Sequence, residues 1–347
     1  MSLLLGVVLF SWFLSSLLYI PFIRILYNFK LRRMRQETRD AFNKRTPIFD
    51  SLHQAKEGTP VGGGLLIIII TTILFPLILL LIKYFWIPVT SVYPLLSEVK
   101  IILFTFVSFG LLGFVDDAKK TFVLRDTEFF GLRLRHKLVL EIILATIISI
   151  WLLTEIKIDI LYIPLLGVFH LGWLYVPFAV LAIIGFANAY NITDGLDGLA
   201  TGLLMIALTA FWIVSASILD TPLSLFIALW IGGLIAFLYF NIYPARIFLG
   251  DVGALSFGAT LAVIGLLLGK APVLLIIGAP FVIEVASSFV QLTWKKFFGR
   301  KLFAVAPLHL WLQHKGWPEP KVVMRFWTIG IVCALFGLWL AILTKSA

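Results

Sequence analysis

The chain has 347 residues, of which 61% are hydrophobic and only 13% charged, and its mean hydropathy is +1.05. A soluble domain is nearer half apolar and a quarter charged, so an aqueous core cannot hide this much apolar surface and lipid must be the solvent. The formal charge of +10 would suit nucleic acid on a basic soluble face, but the basic residues lie in short loops between apolar runs, so no nucleic-acid partner is expected.

A membrane-spanning helix needs roughly 20 apolar residues. In chain order, the candidates are 3–27, 62–82, 99–115, 138–153, 173–187, 199–219, 222–240, 252–268, 273–292 and 322–343. The first has no basic stretch ahead of its apolar run and outlasts a signal-peptide core, so a retained helix is expected. The stretch 159–172 is apolar but broken by Pro164 and Gly167, and is expected to be a re-entrant or interfacial excursion. The fold class is therefore an all-α integral membrane protein of about ten transmembrane helices, with 1–347 forming one polytopic domain. The single cysteine, Cys333, rules out an intrachain disulfide and any CxxC metal site.

Loop charge orients this layout. All but five of the 28 Lys/Arg fall on one set of alternate loops, the exceptions being Lys83, Lys100, Lys157, Lys270 and Lys345. The positive-inside rule makes the basic set cytoplasmic and puts both termini outside.

Five polar stretches interrupt the apolar runs, all on the side assigned to the cytoplasm. The first runs from His53 through Lys56 and Gly58-Thr59-Pro60 to Gly64. A lysine beside flexible glycines suits an anion, although alone the stretch reads as a plain basic loop. The second is Asp116-Asp117 with Lys120. Adjacent carboxylates at a membrane interface repel each other, and Mg²⁺ would relieve that cost while Lys120 met a phosphate. A solvated helix end is the competing reading.

The third stretch, Asn188-Ala-Tyr-Asn191-Ile-Thr-Asp194-Gly-Leu-Asp197-Gly, carries two amides, two carboxylates and two Asp-Gly turn steps between spans. That is more hydrogen-bonding capacity than a turn requires, so a ligand site is the favoured reading. Asn191-Ile-Thr193 also matches a glycosylation sequon, which would stay unmodified on a cytoplasmic loop. The fourth runs from Asn241 through Arg246 and Phe248-Leu-Gly250 to Asp251-Val-Gly253. An isolated carboxylate at the start of a span is a functional candidate by default, and helix N-capping is a compatible second role. The fifth is Ala306-Pro307-Leu308-His309 followed by Gln313 to Glu319, where His309 is either structural or catalytic.

No phosphate loop, HExxH or GxSxG motif is present. Acidic clusters, lysines and amides at a membrane surface suit metal-assisted attack on a diphosphate by a lipid-borne nucleophile. A transporter would place ionisable residues nearer the bilayer midplane.

These motifs, in this order, resemble the polyprenyl-phosphate N-acetylhexosamine-1-phosphate transferase superfamily. The resemblance runs from His53 to Trp327 and rests on Asp116-Asp117-x-x-Lys120, the 188–199 run and Phe248-Leu-Gly-Asp251-Val-Gly253. Ala306-Pro307, Lys315-Gly-Trp-Pro-Glu-Pro-Lys321 and Arg325-Phe-Trp327 point to its muropeptide branch. The resemblance implies a transferase of the bacterial inner membrane. It would move phospho-N-acetylmuramoyl-pentapeptide from its UDP carrier to undecaprenyl phosphate, giving lipid I and UMP, with Mg²⁺ as cofactor. A sister activity takes UDP-GlcNAc instead, and a homodimer is left open.

By matching position, the resemblance makes Asp251 and Asp194 metal ligands, with Asp116, Asp117, Asp251 and His309 catalytic. Lys120 and Lys137 would meet phosphates. Asn188, Asn191, Asp194 and Asp197 would hold the nucleotide, with Lys56, Asn241, Phe248 and Gln291 also at the substrate. Two departures stand out. The branch usually has three consecutive histidines where this chain reads His309-Leu310-Trp311, with Gln313 in place of Glu. It also usually reads Thr-Pro-Thr-Met-Gly-Gly where this chain reads Thr59-Pro-Val-Gly-Gly-Gly64. Both bear on sugar–peptide contacts more than on the diphosphate chemistry.

Overall fold

The computed structural model describes residues 2–29, 31–32, 46–53, 56–122, 134–163 and 166–343. The basic stretches 33–45 and 123–133, and Lys345, lie outside the described residues, so that part of the loop-charge reading has no structural counterpart. Thirteen α-helices are present among the described residues: α1 (Ser2–Asn28), α2 (Pro47–His53), α3 (Gly63–Tyr84), α4 (Leu95–Phe122), α5 (Leu134–Thr154), α6 (Tyr175–Thr193), α7 (Leu199–Ser217), α8 (Thr221–Asn241), α9 (Gly250–Leu267), α10 (Ala271–Ile277), α11 (Ala279–Phe298), α12 (Leu308–His314) and α13 (Glu319–Leu343). The helical form follows from the solvent, because each backbone N–H and C=O must find its partner within the segment when no water is at hand.

Nine of these helices are long and apolar enough to cross a membrane, and α10 with α11 forms a further pair bent by 80°. A straight span was expected over 273–292. The sequence Gly278-Ala279-Pro280 breaks it, since the proline lacks an N–H and its ring collides with the preceding turn. Phe186 also packs so closely on Gly278 that a β-carbon there would lie 2.5 Å from the ring. The stretch 159–172 is not a span either. Its described residues form an antiparallel hairpin, β1 (Ile160–Ile163) on β2 (Gly167–His170), with Ile160 opposite His170.

Helix contacts fix the direction of each element. Ser11 donates to Leu229 O at 2.7 Å and Tyr19 packs on Phe237 at 5.9 Å, so α1 runs parallel to α8. Trp327 donates to Leu199 O at 3.4 Å and Gly330 packs on Leu203, so α13 runs parallel to α7. Ser2 and Leu343 therefore lie at one end of the bundle, and the bent pair supplies the tenth passage between its ends. The other end gathers the C-termini of α4, α6 and α8 with the N-termini of α5, α7, α9 and α13.

Helices α8 and α9 are buried around almost their whole circumference, whereas α1, α5 and α13 expose rows of Leu, Ile, Phe and Trp. The centre is an aromatic cluster in which the Phe106 ring lies 5.2 Å from both Phe226 and Trp230 and 5.7 Å from Phe257. Small residues set the closest approaches, as expected for helices associating in lipid. Gly64 meets Gly253 backbone to backbone, and Gly113 lies against the Asp251 carbonyl, where any side chain would collide. These glycines draw α3 and α4 onto the start of α9.

Candidate functional site

Two polar clusters occupy the end where α4 finishes and α9 begins. In the first, the Asp251 Oδ2 atom accepts from Lys120 Nζ and Lys137 Nζ, each at 2.8 Å. The Asp116 Oδ2 atom lies 3.2 Å from the same two ammonium groups, and the two carboxyl groups also hydrogen-bond each other. Lys120 and Asp116 are one turn apart on α4, Lys137 comes from α5 and Asp251 from α9. Two carboxyl groups and two ammonium groups thus meet from three helices, partly buried, in a medium that strengthens each attraction.

Asp117 has a different task. Its Oδ2 atom accepts the Val252 N–H at 3.0 Å, and its carboxylate also accepts the Asp251 N–H. These are orphan donors at the start of α9, so Asp117 caps that helix from a neighbouring one. Asp251 is the second residue of α9 and is not its cap. Capping therefore falls to Asp117, and the Asp251 side chain is given over to the lysines.

The second cluster is built on Lys56. Its Nζ lies 2.7 Å from Asp197 Oδ1 and 2.6 Å from Glu319 Oε1, and all three side chains are buried. Glu319 Oε1 also accepts the Asp197 N–H at 2.6 Å, and Asp197 Oδ2 accepts the Ala245 N–H at 2.9 Å. Asn241 turns its carbonyl oxygen to the Gly198 N–H at 3.1 Å and its amide to Ile247 O at 2.9 Å. The Phe248 ring sits 5.9 Å from Lys56 Nζ. Phe248 O accepts from the Gly63 N–H at 2.9 Å, and Phe248 N–H donates to Pro60 O at 2.8 Å. The segment 241–251 thus carries both clusters and fastens the glycine turn ahead of α3 to the start of α9.

His309 and Gln291 lie to one side of this arrangement. Glu284 accepts the His309 backbone N–H at 3.1 Å and faces its Nδ1 at 2.9 Å, both side chains being fully buried. The free ring nitrogen points at the Asp-Gly turn, since a β-carbon at Gly195 would fall 2.5 Å from His309 Nε2. Gln291 spends its amide on its own loop, donating to Phe303 O at 2.8 Å and accepting from Phe303 N–H at 2.9 Å. It serves there as a loop tie.

The predicted amides stand on α6. Asn188 Nδ2 donates to Glu141 Oε2 at 2.6 Å, while Asn191 is half-buried and Asp194 caps the helix C-terminus through its N–H to Tyr190 O at 3.0 Å. Among the described residues, no three His, Cys, Asp or Glu side chains group as a ready-made metal cage. Hard cations of the Mg²⁺ type, however, are commonly held by one or two carboxylates with substrate phosphates completing the shell. The oxygens of Asp251 and Asp116 fit that requirement.

Two glutamates of these networks, Glu141 and Glu284, were missed in the sequence, while Glu319 was noted in the fifth stretch without a role. The first two are carboxylates within apolar runs, a signal that by itself marks a functional candidate.

The fold and site together define a multi-pass membrane protein with a lysine–carboxylate centre at one end of its helix bundle. The glycosyl transferase family 4 profile matches residues 99–269. The chain is 37% identical to the phospho-N-acetylmuramoyl-pentapeptide-transferase of Levilactobacillus brevis, covering 83% of this chain and 85% of that one. It is 35% identical to that of Lactiplantibacillus plantarum, covering 97% and 98%, and 35% identical to that of Lactobacillus acidophilus, covering 94% and 95%. This chain belongs to the phospho-N-acetylmuramoyl-pentapeptide-transferase family.

Proposed function

We propose that this protein transfers phospho-N-acetylmuramoyl-pentapeptide from UDP to undecaprenyl phosphate, forming lipid I and UMP for peptidoglycan synthesis. The acceptor phosphate oxygen bonds to the β-phosphorus, and the bond from that phosphorus to the bridging oxygen breaks, so that UMP leaves with the electron pair. The observation that carries this reading is the partly buried quartet of Asp116, Asp251, Lys120 and Lys137. Such a transfer asks little covalent chemistry of the protein and much positioning and charge neutralisation. Lys120 and Lys137 are held ready by carboxylates and can turn to phosphate oxygens, which bear the same charge type. Asp251 with Asp116 would hold Mg²⁺, which when bound supplies charge stabilisation at the diphosphate.

Within the aspartate pair, Asp116 faces the lysines and so stands nearest the phosphates, whereas Asp117 holds the start of α9 in register. Lys56, Asp197 and Asn241 would take the sugar-nucleotide side. The positive-inside rule, applied to the basic loops of the sequence, supports a cytoplasmic position for this end of the bundle at a bacterial inner membrane, with both termini outside.

The test is UMP release by the protein in detergent with Mg²⁺, undecaprenyl phosphate and either UDP-N-acetylmuramoyl-pentapeptide or UDP-GlcNAc. Release with the muropeptide substrate is expected. Release with UDP-GlcNAc alone would move the protein to the sister activity, and solute flux without any UMP would make it a transporter.

A further inference from the structure

Glu141 lies on α5 one turn after Lys137, in an apolar run, and its side chain is only 1% exposed. A carboxylate at such depth is costly unless a specific partner repays it. Its partner is Asn188 on α6, whose Nδ2 donates to Glu141 Oε2 at 2.6 Å. The same Nδ2 donates to Ile184 O at 3.0 Å. Both amide hydrogens are therefore spent on acceptors that cannot donate in return. This settles the orientation of the amide, because turning it over would set Oδ1 against a carboxylate and a carbonyl. Asn188 Oδ1 faces away from both, with Asn191 one turn further along the helix on the same side.

We propose that Glu141 is a positioning residue that locks the Asn188 amide, so that Asn188 presents only a hydrogen-bond acceptor to an N–H or O–H donor of the sugar nucleotide. This rests on the reading of Asn188 as substrate-facing. Glu141 also lies within electrostatic reach of Lys137, and so ties the amide face of α6 to the lysine–carboxylate quartet.

A polarity swap tests the assignment without changing side-chain size. In Asn188→Asp, two carboxylates confront one another and the lock is lost. KM for the UDP-muropeptide should rise by about tenfold or more, the usual scale for losing such a supporting contact, with a smaller change in kcat. Adding Glu141→Gln restores a donor–acceptor pair of reversed sense and leaves an acceptor at position 188, forgoing only the bond to Ile184 O. The double variant should recover KM to within about threefold of the parent, a coupling that independent sites do not show. Glu141→Gln alone keeps an acceptor and should raise KM less than Asn188→Asp does. A double variant no better than Asn188→Asp, or an Asn188→Asp variant with parental KM, would overturn the assignment. A parent protein that releases no UMP would instead refute the transferase reading, so the two failures are told apart.

Discussion

Buried acids appear at both ends of the bundle, but they are stabilised in opposite ways. At the end where α9 starts, Asp116 and Asp251 share two lysines from neighbouring helices. At the other end, Glu98 and Asp220 are equally buried, hydrogen-bond each other and make no ion pair among the described residues. Glu98 is fed by the Ser91 hydroxyl at 2.8 Å, and Asp220 caps α8 by accepting the Leu223 N–H at 3.3 Å. Around them, Tyr93 donates to Leu267 O at 2.7 Å and the Thr221 N–H to Thr90 O at 2.9 Å, which binds the 85–94 loop to α8 and α9. Two acceptor groups that bond each other must hold a proton between them. The first arrangement sets its carboxyl groups against lysine ammonium groups that an anionic substrate can take over; the second has no lysine among the described residues and spends its hydrogen bonds on closing the fold. A carboxylate in lipid thus signals function only once its partner is known.

The sharpest way to break this contrast is Asp251→Asn. UMP release should fall by about 10²–10³-fold or more, because two lysines lose their counter-charge and a metal ligand is removed. Thermal unfolding in detergent should change little, and near-parental turnover would remove Asp251 from the chemistry. Lys137→Met should follow with a loss of about tenfold to a hundredfold, since Lys120 still serves the phosphates. If UMP release were unaffected, the lysines would be structural counter-ions only, like the Lys100–Glu155 pair on the outer surface.

Asp117→Asn separates the neighbouring aspartates. An amide oxygen still accepts the N–H groups of α9, so turnover should stay well above that of Asp251→Asn. Asp117→Ala removes the cap and should cost about 0.5–2 kcal/mol of stability, read as a lower unfolding midpoint. An Asp117→Asn variant as inactive as Asp251→Asn would place the charge of Asp117 in the reaction itself.

Much of this was legible in the sequence because lipid simplifies the code. Long apolar runs must be helices, and any interruption by Asp, Asn or Lys is expensive enough to need a reason. Asp116, Lys120 and Asp251 were found that way, and Lys137 through the family resemblance. What stayed hidden was relational. Nothing in Asp116-Asp117 says which carboxylate meets the lysines and which caps α9, since that depends on how Gly113 lets α4 approach α9. Glu141 and Glu284 went unread inside their spans, because only the fold brings Asn188 and His309 to them as partners. The bend at Gly278 was lost for the opposite reason, because hydropathy averages over a proline.

The smallest effect expected on catalysis comes from Asp220→Asn, which probes the far end alone. Burial, above all, raises the Asp220 carboxyl above its ordinary range, with the Leu223 N–H and Glu98 partly offsetting it. The folded protein then binds protons more tightly than the unfolded chain. Stability from this group is complete below the ordinary aspartate value of about 3.9 and is lost as pH rises through the raised folded value. The unfolding midpoint of the parent should therefore decline by a few degrees as pH rises through that folded value, on the scale of roughly 2–4 °C per kcal/mol. An asparagine still caps α8 and can donate to Glu98 but carries no titrating proton, so Asp220→Asn should flatten that decline while UMP release stays at the parental level. If Asp220→Asn leaves the slope intact, the titrating proton of this pair belongs to Glu98 and not to Asp220. If it abolishes turnover, the two ends are coupled through the bundle and the division of labour between them fails.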